Sequence, residues 1–156
     1  MKSNTLILSN FQIKTSSFEQ LSKQELYAIL ALRVEVFCVE QDCPYQDVDG
    51  VDFVCQHFTV FHESELAAYA RVIPPDTSIC YIGRIVVAKK YRGQKLATKL
   101  IETCINYCKN NYSNNIIEIS AQSYLTDYYQ SLGFKSTGKF YLEDDIPHEQ
   151  MQILAN

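Results

Sequence analysis

The chain has 156 residues, of which 47% are hydrophobic and 21% are charged, a balance typical of a globular domain with a substantial buried core. Its formal net charge of −4 argues against a general nucleic-acid or anionic-membrane binder, although one local basic loop can still bind an anionic ligand. We therefore expect a single domain over residues 1–156, with no nucleic acid and no membrane among its partners.

Six cysteines could form disulfides or remain free thiols. The N-terminal stretch MKSNTLILSNFQIK lacks the apolar core and the cleavage site of an export signal. No stretch approaches the roughly 18 apolar residues that span a bilayer. These features predict a cytoplasmic protein with free thiols, and the absence of a C-x-x-C spacing predicts no metal. The cysteines are Cys38, Cys43, Cys55, Cys80, Cys104 and Cys108.

The first predicted helix begins at Ser22, because Ser22 and Glu25 have the spacing of a capping box before an apolar stripe. Arg33 falls on that stripe, where a cation extends to solvent, pairs with a carboxylate or reaches into a cleft. Pro44 cannot continue a helix, so CVEQDCPYQDVDGVD is predicted to be a loop. Its DVDGVD stretch lacks the last ligand of an EF-hand, which favours a solvated loop over a calcium site.

The strands come next in the chain. CQHFTVFHE and ELAAYARVIP are predicted to form a hairpin that turns at Glu63 and Ser64, and ICYIGRIVVA is a third strand. A helical pattern then runs from Gly93 to Cys108. The strand IIEISAQ, a short helix YLTDYYQSLGF and an antiparallel pair, FKSTGKFYL and EQMQIL around the loop EDDIPH, complete the chain. This order predicts a mixed α/β sheet with a strand–helix–strand crossover in the middle.

The stretch YRGQKLATKL, directly after the third strand, has features of a phosphate-binding loop. The first turn of a helix leaves four backbone amides without partners and carries partial positive charge. Gly93 allows close backbone approach, and Arg92 and Lys95 add positive charge. The GxGxxG and GxxxxGK[ST] patterns are both absent, so the stretch by itself is a weak phosphate signal.

Three segments make the sequence resemble the GNAT superfamily of acyl-CoA-dependent N-acetyltransferases, especially its ElaA-type subgroup. RGQKLA resembles the pyrophosphate loop R/Q-x-x-G-x-G/A, and YYQSLGF resembles the segment Y-x-x-x-G-F. LRVEVFCVEQDCPYQDVDGVD is similar to the ElaA-type segment R-x-x-V-F-x-x-E-Q-x-C-P-Y. The resemblance runs from about Gln24 to Ile153. Lys95 replaces the first glycine of the loop motif, and we predict helical dihedral angles with negative φ at Lys95.

The resemblance implies the GNAT fold, a twisted and mostly antiparallel sheet flanked by helices, whose fourth and fifth strands splay apart around pantetheine. RIVV and EISAQ would be those strands. The backbone of Ile85 and Val87 would pair with pantetheine, and the amide of Val86 or its neighbour would face the thioester carbonyl. The implied acetyl-CoA-binding residues are Ile85, Val86, Val87, Arg92, Gly93, Gln94, Lys95, Leu96, Ala97, Thr98, Gln122 and Tyr129.

The resemblance also gives Tyr129 the role of general acid toward the departing CoA thiolate. Tyr128, about 100° away around the helix, is expected to be silent. The family's usual strand-four glutamate is missing from ICYIGRIVV. Glu40, His148 and a water held by Tyr81 are therefore the alternatives for the general base. Arg33, Glu40, Tyr81 and His148 are the candidate substrate-binding residues.

Two acidic groups are expected to flank the acceptor entrance and to attract a cationic amine. The first group is Asp42, Asp47, Asp49 and Asp52, and the second is Glu143, Asp144 and Asp145.

The function implied is acetyl transfer from acetyl-CoA, as co-substrate, to a primary amine of a small molecule by direct attack in a ternary complex. A non-catalytic acyl-CoA-binding module and a protein or peptide N-acetyltransferase are the alternatives. The pattern is also compatible with a homodimer formed through a sheet edge or a loop.

Overall fold

A computed structural model describes residues 4–8 and 10–156. Eight strands form one sheet in the order β1-β2-β3-β4-β5-β6-β8-β7, and every neighbouring pair is antiparallel except β5 and β6. The strands are β1 (Asn4–Leu8), β2 (Phe11–Ser17), β3 (Gln56–His62), β4 (Glu65–Ile73), β5 (Ile79–Val87), β6 (Ile116–Gln122), β7 (Lys135–Glu143) and β8 (Ile146–Leu154). The predicted mixed sheet is thereby confirmed.

Three α-helices accompany the described sheet: α1 (Lys23–Arg33), α2 (Leu96–Asn111) and α3 (Thr126–Ser131). The predicted capping box of α1 is confirmed. The Ser22 hydroxyl accepts the Glu25 amide at 3.1 Å, and the Glu25 carboxylate accepts the Ser22 amide at 2.8 Å. The chain continues beyond α1 as a wider π-helical segment, Val34–Glu40. No helix in the described ranges is both long and apolar enough to cross a membrane.

The core lies on both faces of β4, at the centre of the sheet. Ala68, Ala70 and Val72 pack against the α2 side, whereas Tyr69 packs against α1 on the other face. Side chains alternate along a strand, so a strand covered on both faces is apolar at nearly every position. All six cysteines, each of them in the described part, are free thiols.

The structure adds one hairpin to the predicted elements and corrects the limits of α2, β7 and β8. The N-terminal hairpin of β1 and β2 was not predicted, and α2 begins at Leu96 rather than Gly93. The strands β7 and β8 extend further than predicted, so the turn between them contains only residues 144 and 145 instead of the whole EDDIPH stretch. The prediction that no export signal is present relies partly on residues 1–3 and 9, which lie outside the described residues.

Candidate functional site

The strands β5 and β6 pair over only three residues and then separate. Residues 79–81 of β5 are in register with residues 116–118 of β6, and the ladder ends there. A cavity of about 760 Å³ lies where the strands have separated. Its walls come from the ends of both strands, the start of α2, α3, the π-helical segment and the β7–β8 turn. We call this space the strand opening.

Backbone direction along β5 determines which amides face the strand opening. The Ala88 amide donates to the Ala67 carbonyl of the β4 side at 2.8 Å. Successive amides of an extended strand point in opposite directions, so the Val86 amide also faces β4. The amides of Ile85 and Val87 therefore face the strand opening, as a pseudo-strand partner requires.

The prediction of a helical backbone at Lys95 is wrong. Lys95 has φ 60° and ψ 24°, which is left-handed, and Gly93 before it has φ +80°. The chain needs both left-handed residues to turn from the end of β5 into the axis of α2. Lysine thus accepts a conformation that the glycine of the related motif adopts without strain.

The first turn of α2 has open backbone donors. Lys95 is the N-cap residue, and its carbonyl accepts the Lys99 amide at 3.2 Å, but no side chain caps the turn. The amides of Leu96, Ala97 and Thr98 cannot have partners within the helix. Left-handed turns before such amides form a concave anion site, so this loop can hold a phosphate group.

Arg92 is bound to Glu40 at the entrance of the strand opening. Its two terminal nitrogens lie 2.5 and 2.9 Å from the Glu40 carboxylate oxygens, and its Nε donates to the Val87 carbonyl at 3.1 Å. The hydrogen bonds from Arg92 lower the pKa of Glu40. A carboxylate with a lowered pKa is a weak proton acceptor, so this contact weakens Glu40 as the general base.

Tyr129 lies in the wall of the strand opening and is only 8% exposed. Burial raises the pKa of Tyr129, which keeps its hydroxyl protonated. Tyr128 lines the same cavity, and its hydroxyl is 2.9 Å from the Thr98 hydroxyl on α2. Tyr128 therefore lies in the same cavity as Tyr129 and is unsuitable as a silent control for it, contrary to the expectation from its position on the helix.

His148 belongs to β8, and not to the loop in which it was predicted. Its Nδ1 lies 2.7 Å from the Ile146 carbonyl, which can only accept, so Nδ1 carries the hydrogen. The other ring nitrogen, Nε2, lies 3.4 Å from the Glu143 carboxylate. Ser120 donates to that carboxylate at 3.0 Å, and the Tyr141 ring stacks on His148. The arrangement suits a base whose protonated form Glu143 would stabilise.

Arg33 does not reach the strand opening. It is fully buried, and its guanidinium donates to the carboxylates of Asp47 at 2.8 Å and Asp52 at 2.7 Å. Of the three interpretations, pairing with a carboxylate is the one that the structure supports. Asp47 and Asp52 are likewise buried, so they do not flank the acceptor entrance as predicted.

Asp49 is also paired; it lies in the loop of residues 41–52, which we call the acidic loop. Asp49 binds Arg71 of β4 at 2.5 Å, and this contact holds the pKa of Asp49 well below its usual range. The described residues contain no cluster of three or more side chains placed to bind a metal ion. Asp47, Asp49 and Asp52 are thus paired with arginines in one network, while the fourth predicted aspartate, Asp42, is exposed.

Most of the predicted site residues meet at one cavity. Gln122 lines it, and its amide nitrogen lies 3.3 Å from the Gln41 side-chain oxygen. Three do not line it: Arg33, Gln94 and Tyr81, which is beside the paired start of the two strands. The predicted residues that line the cavity are Glu40, Ile85, Val86, Val87, Arg92, Gly93, Lys95, Leu96, Ala97, Thr98, Gln122, Tyr129 and His148.

Sequence reasoning missed Arg71, Arg84, Ser120 and Tyr141. Ser120 alternates with buried neighbours along β6, and Tyr141 lies on the mostly exposed strand β7, so both fit an ordinary surface pattern. The two arginines interrupt apolar strands, and this was the available signal that each has a buried carboxylate partner.

Comparison with known proteins agrees with this geometry. The family model described as Acetyltransferase (GNAT) domain matches residues 18–155. Protein ElaA of Escherichia coli is 39% identical over 133 residues, which is 83% of this chain and 87% of ElaA. The E. coli ElaA crystal structure, 36% identical, has a TM-score of 0.86 and covers 91% of this chain and 98% of its own.

Two further solved structures are similar. An acyl-CoA N-acyltransferase from Pseudomonas aeruginosa is 38% identical with a TM-score of 0.84, covering 90% of this chain and 97% of its own. A GNAT family acetyltransferase from Elizabethkingia anophelis, solved with acetyl-CoA bound, has a TM-score of 0.68 and covers 94% of this chain and 99% of its own. At 16% identity the second shares the fold alone.

Proposed function

Because the chain belongs to the GNAT acetyltransferase family, we propose that it transfers an acetyl group from acetyl-CoA to a primary amine of a small molecule. One observation carries the proposal: the strand opening lies between the uncapped first turn of α2 and the largely buried side chain of Tyr129. Acetyl-CoA is an elongated ligand that can place its diphosphate at the first turn of α2 and its thioester beside Tyr129. Both substrates would be bound together, and the amine would attack directly.

The residues that would hold acetyl-CoA are mostly backbone groups. The amides of Leu96, Ala97 and Thr98 would donate to the diphosphate, with the helix dipole behind them. The Ile85 carbonyl and the Val87 amide would pair with the pantetheine arm along the free edge of β5, which leaves the Ile85 amide for the thioester carbonyl. The acetyl-CoA complex of the E. anophelis relative supports this use of the shared fold.

The chemical step needs one proton accepted and one donated. As the amine nitrogen bonds to the acetyl carbon, His148 Nε2 accepts its proton, and Glu143 stabilises the resulting imidazolium. Backbone donors on β5 stabilise the negative charge that develops on the carbonyl oxygen. The C–S bond then breaks, and Tyr129 gives its hydroxyl proton to the departing sulfur.

The walls of the cavity favour a small acceptor. Cys43 and Tyr45 of the acidic loop line the strand opening, and the Cys43 sulfur contacts the Asp144 carbonyl at 3.8 Å. This contact joins the loop to the β7–β8 turn, which favours a small acceptor over an extended peptide on that side. Glu143 and Asp144 also line the opening, and their charge attracts a cationic amine.

The test is release of free thiol from acetyl-CoA across a panel of small amines. Tyr129→Phe should lower kcat about 100-fold while leaving the Kd for acetyl-CoA within about twofold, because it removes only the proton donor. Tyr27→Phe is the matched control, since Tyr27 is a 78% exposed residue of α1. Tight acetyl-CoA binding with no thiol release from any amine would contradict the proposal and support a non-catalytic binding module.

A further inference from the structure

The strand β5 contains a bulge whose first residue is Arg84. The β4–β5 register passes from Tyr69 opposite Val86 to Arg71 opposite Gly83, so two β5 residues stand opposite one β4 residue. Arg84 has φ 53°, a left-handed conformation that favours glycine at the first position of such a bulge. A side chain kept at a strained backbone position suggests that the side chain has a role of its own.

The Arg84 side chain is anchored on the acidic loop. Its Nη2 donates to the Asp47 carbonyl at 3.1 Å and to the Asp49 carboxylate at 3.3 Å, and its Nε lies 2.9 Å from the Asp47 carboxylate without the geometry of a hydrogen bond. The guanidinium also lies over the Tyr45 ring, 5.6 Å from its centroid. Contacts on several sides hold the planar guanidinium of Arg84 in one orientation. The Arg84 side chain therefore fixes the bulge from outside the sheet.

Asp47, which holds the Arg84 side chain, is itself held by several contacts. Asp47 is 4% exposed and is bound by the fully buried Arg33 of α1 through both its carboxylate, at 2.8 Å, and its carbonyl, at 3.0 Å. The Tyr45 hydroxyl donates to the same carboxylate at 2.6 Å. A continuous chain of contacts therefore connects α1 through Asp47 and Arg84 to the backbone immediately before Ile85.

We propose that Arg84 is a positioning residue: its contact with Asp47 holds the β5 bulge so that the Ile85 amide points into the strand opening. That amide is the donor placed to stabilise the carbonyl oxygen of the thioester as the amine attacks. This inference rests on the proposed function. Arg84 also lines the strand opening, and the role proposed for it is exerted through the backbone of Ile85.

Arg71 provides a matched comparison within the same ion-pair network. It binds Asp49 and Asp52 but belongs to β4, and it does not line the strand opening. Lysine at either position keeps the positive charge but lacks the planar guanidinium that can donate to two oxygens at once. A loss of stability alone should therefore appear in both lysine variants, whereas a loss of positioning should appear only in Arg84→Lys.

The experiment compares Arg84→Lys with Arg71→Lys. We expect Arg84→Lys to lower kcat at least about tenfold with the acetyl-CoA Kd within about twofold, because small displacements of a catalytic donor are costly. Arg71→Lys should keep kcat within about twofold. By NMR of the free protein, the order parameter of the Ile85 amide should fall from about 0.85 toward 0.6 only in Arg84→Lys. If Arg84→Lys does not fold, Arg84→Gly fits the left-handed backbone and should show the same effects.

An unchanged kcat in folded Arg84→Lys, an equal fall in Arg71→Lys, or a loss of acetyl-CoA affinity that matches the loss of kcat would overturn the inference. Absence of thiol release by the wild-type protein would instead contradict the proposed function. In that case the Ile85 order parameters still decide whether Arg84 holds the bulge.

Discussion

The left-handed backbone of Lys95, in the loop proposed to bind the diphosphate, gives a quantitative prediction. A residue with a Cβ in the left-handed conformation costs about 1–2 kcal/mol, and Lys95 has φ 60°. Glycine removes that cost but loses about 0.5–1 kcal/mol through the greater freedom of the unfolded chain. Lys95→Gly should therefore stabilise the protein by about 0.5–1 kcal/mol, which raises the Tm by about 1–4 °C for a chain of this size.

The assay is thermal unfolding followed by calorimetry, with Lys95→Ala as the control. Alanine loses the same positive charge but keeps the backbone strain, so it should not raise the Tm. The acetyl-CoA Kd should change by the same factor in both variants, since only the charge is common to them. A Lys95→Gly protein with a Tm no higher than that of Lys95→Ala would refute the left-handed N-cap.

Three further predictions concern the ionisable groups. Glu40→Gln releases Arg92, so calorimetry should show acetyl-CoA binding about two- to fivefold tighter; weaker binding would mean that Glu40 instead orients Arg92 for the ligand. His148→Gln should lower the rate of thiol release about 100-fold with acetyl-CoA affinity kept, and an unchanged rate would exclude His148 as the base. His57 is buried, with its Nδ1 2.7 Å from the Tyr69 hydroxyl, and burial lowers its pKa. Below the pKa of an ordinary histidine, the unfolded chain therefore binds a proton at His57 more readily than the folded protein does. Stability in urea should therefore be full above about pH 6.5 and fall below it, and a His57→Gln protein with the same slope would contradict this.

Much of the fold could be predicted because its signals are local. The capping box of α1 lies within four residues, and β5 and β6 are strand-like segments rich in Ile and Val before and after a strongly amphipathic helix. The β1–β2 hairpin was missed because β1 is a short edge strand whose residues 4–7 are exposed, and β2 shows no regular alternation of buried positions. An edge strand has few buried positions, so its hydrophobic period is weak.

The parts of the site that could not be predicted depend on contacts between distant residues. Arg33 and Asp47 are 14 positions apart, and Arg84 and Asp47 are 37 apart, so no local pattern pairs them. Lys95 was misjudged for a related reason. Its backbone conformation follows from the path between β5 and α2, and this path outweighs the intrinsic preference of lysine for negative φ.

The binding mode of acetyl-CoA is the centre of the account, and a crystal structure of the protein with saturating coenzyme A tests it most directly. We predict the diphosphate on the amides of Leu96 to Thr98 and the pantetheine arm alongside Ile85 and Val87 in the strand opening. Coenzyme A bound elsewhere, or β5 and β6 hydrogen-bonded to each other along their whole length in that crystal, would contradict the account.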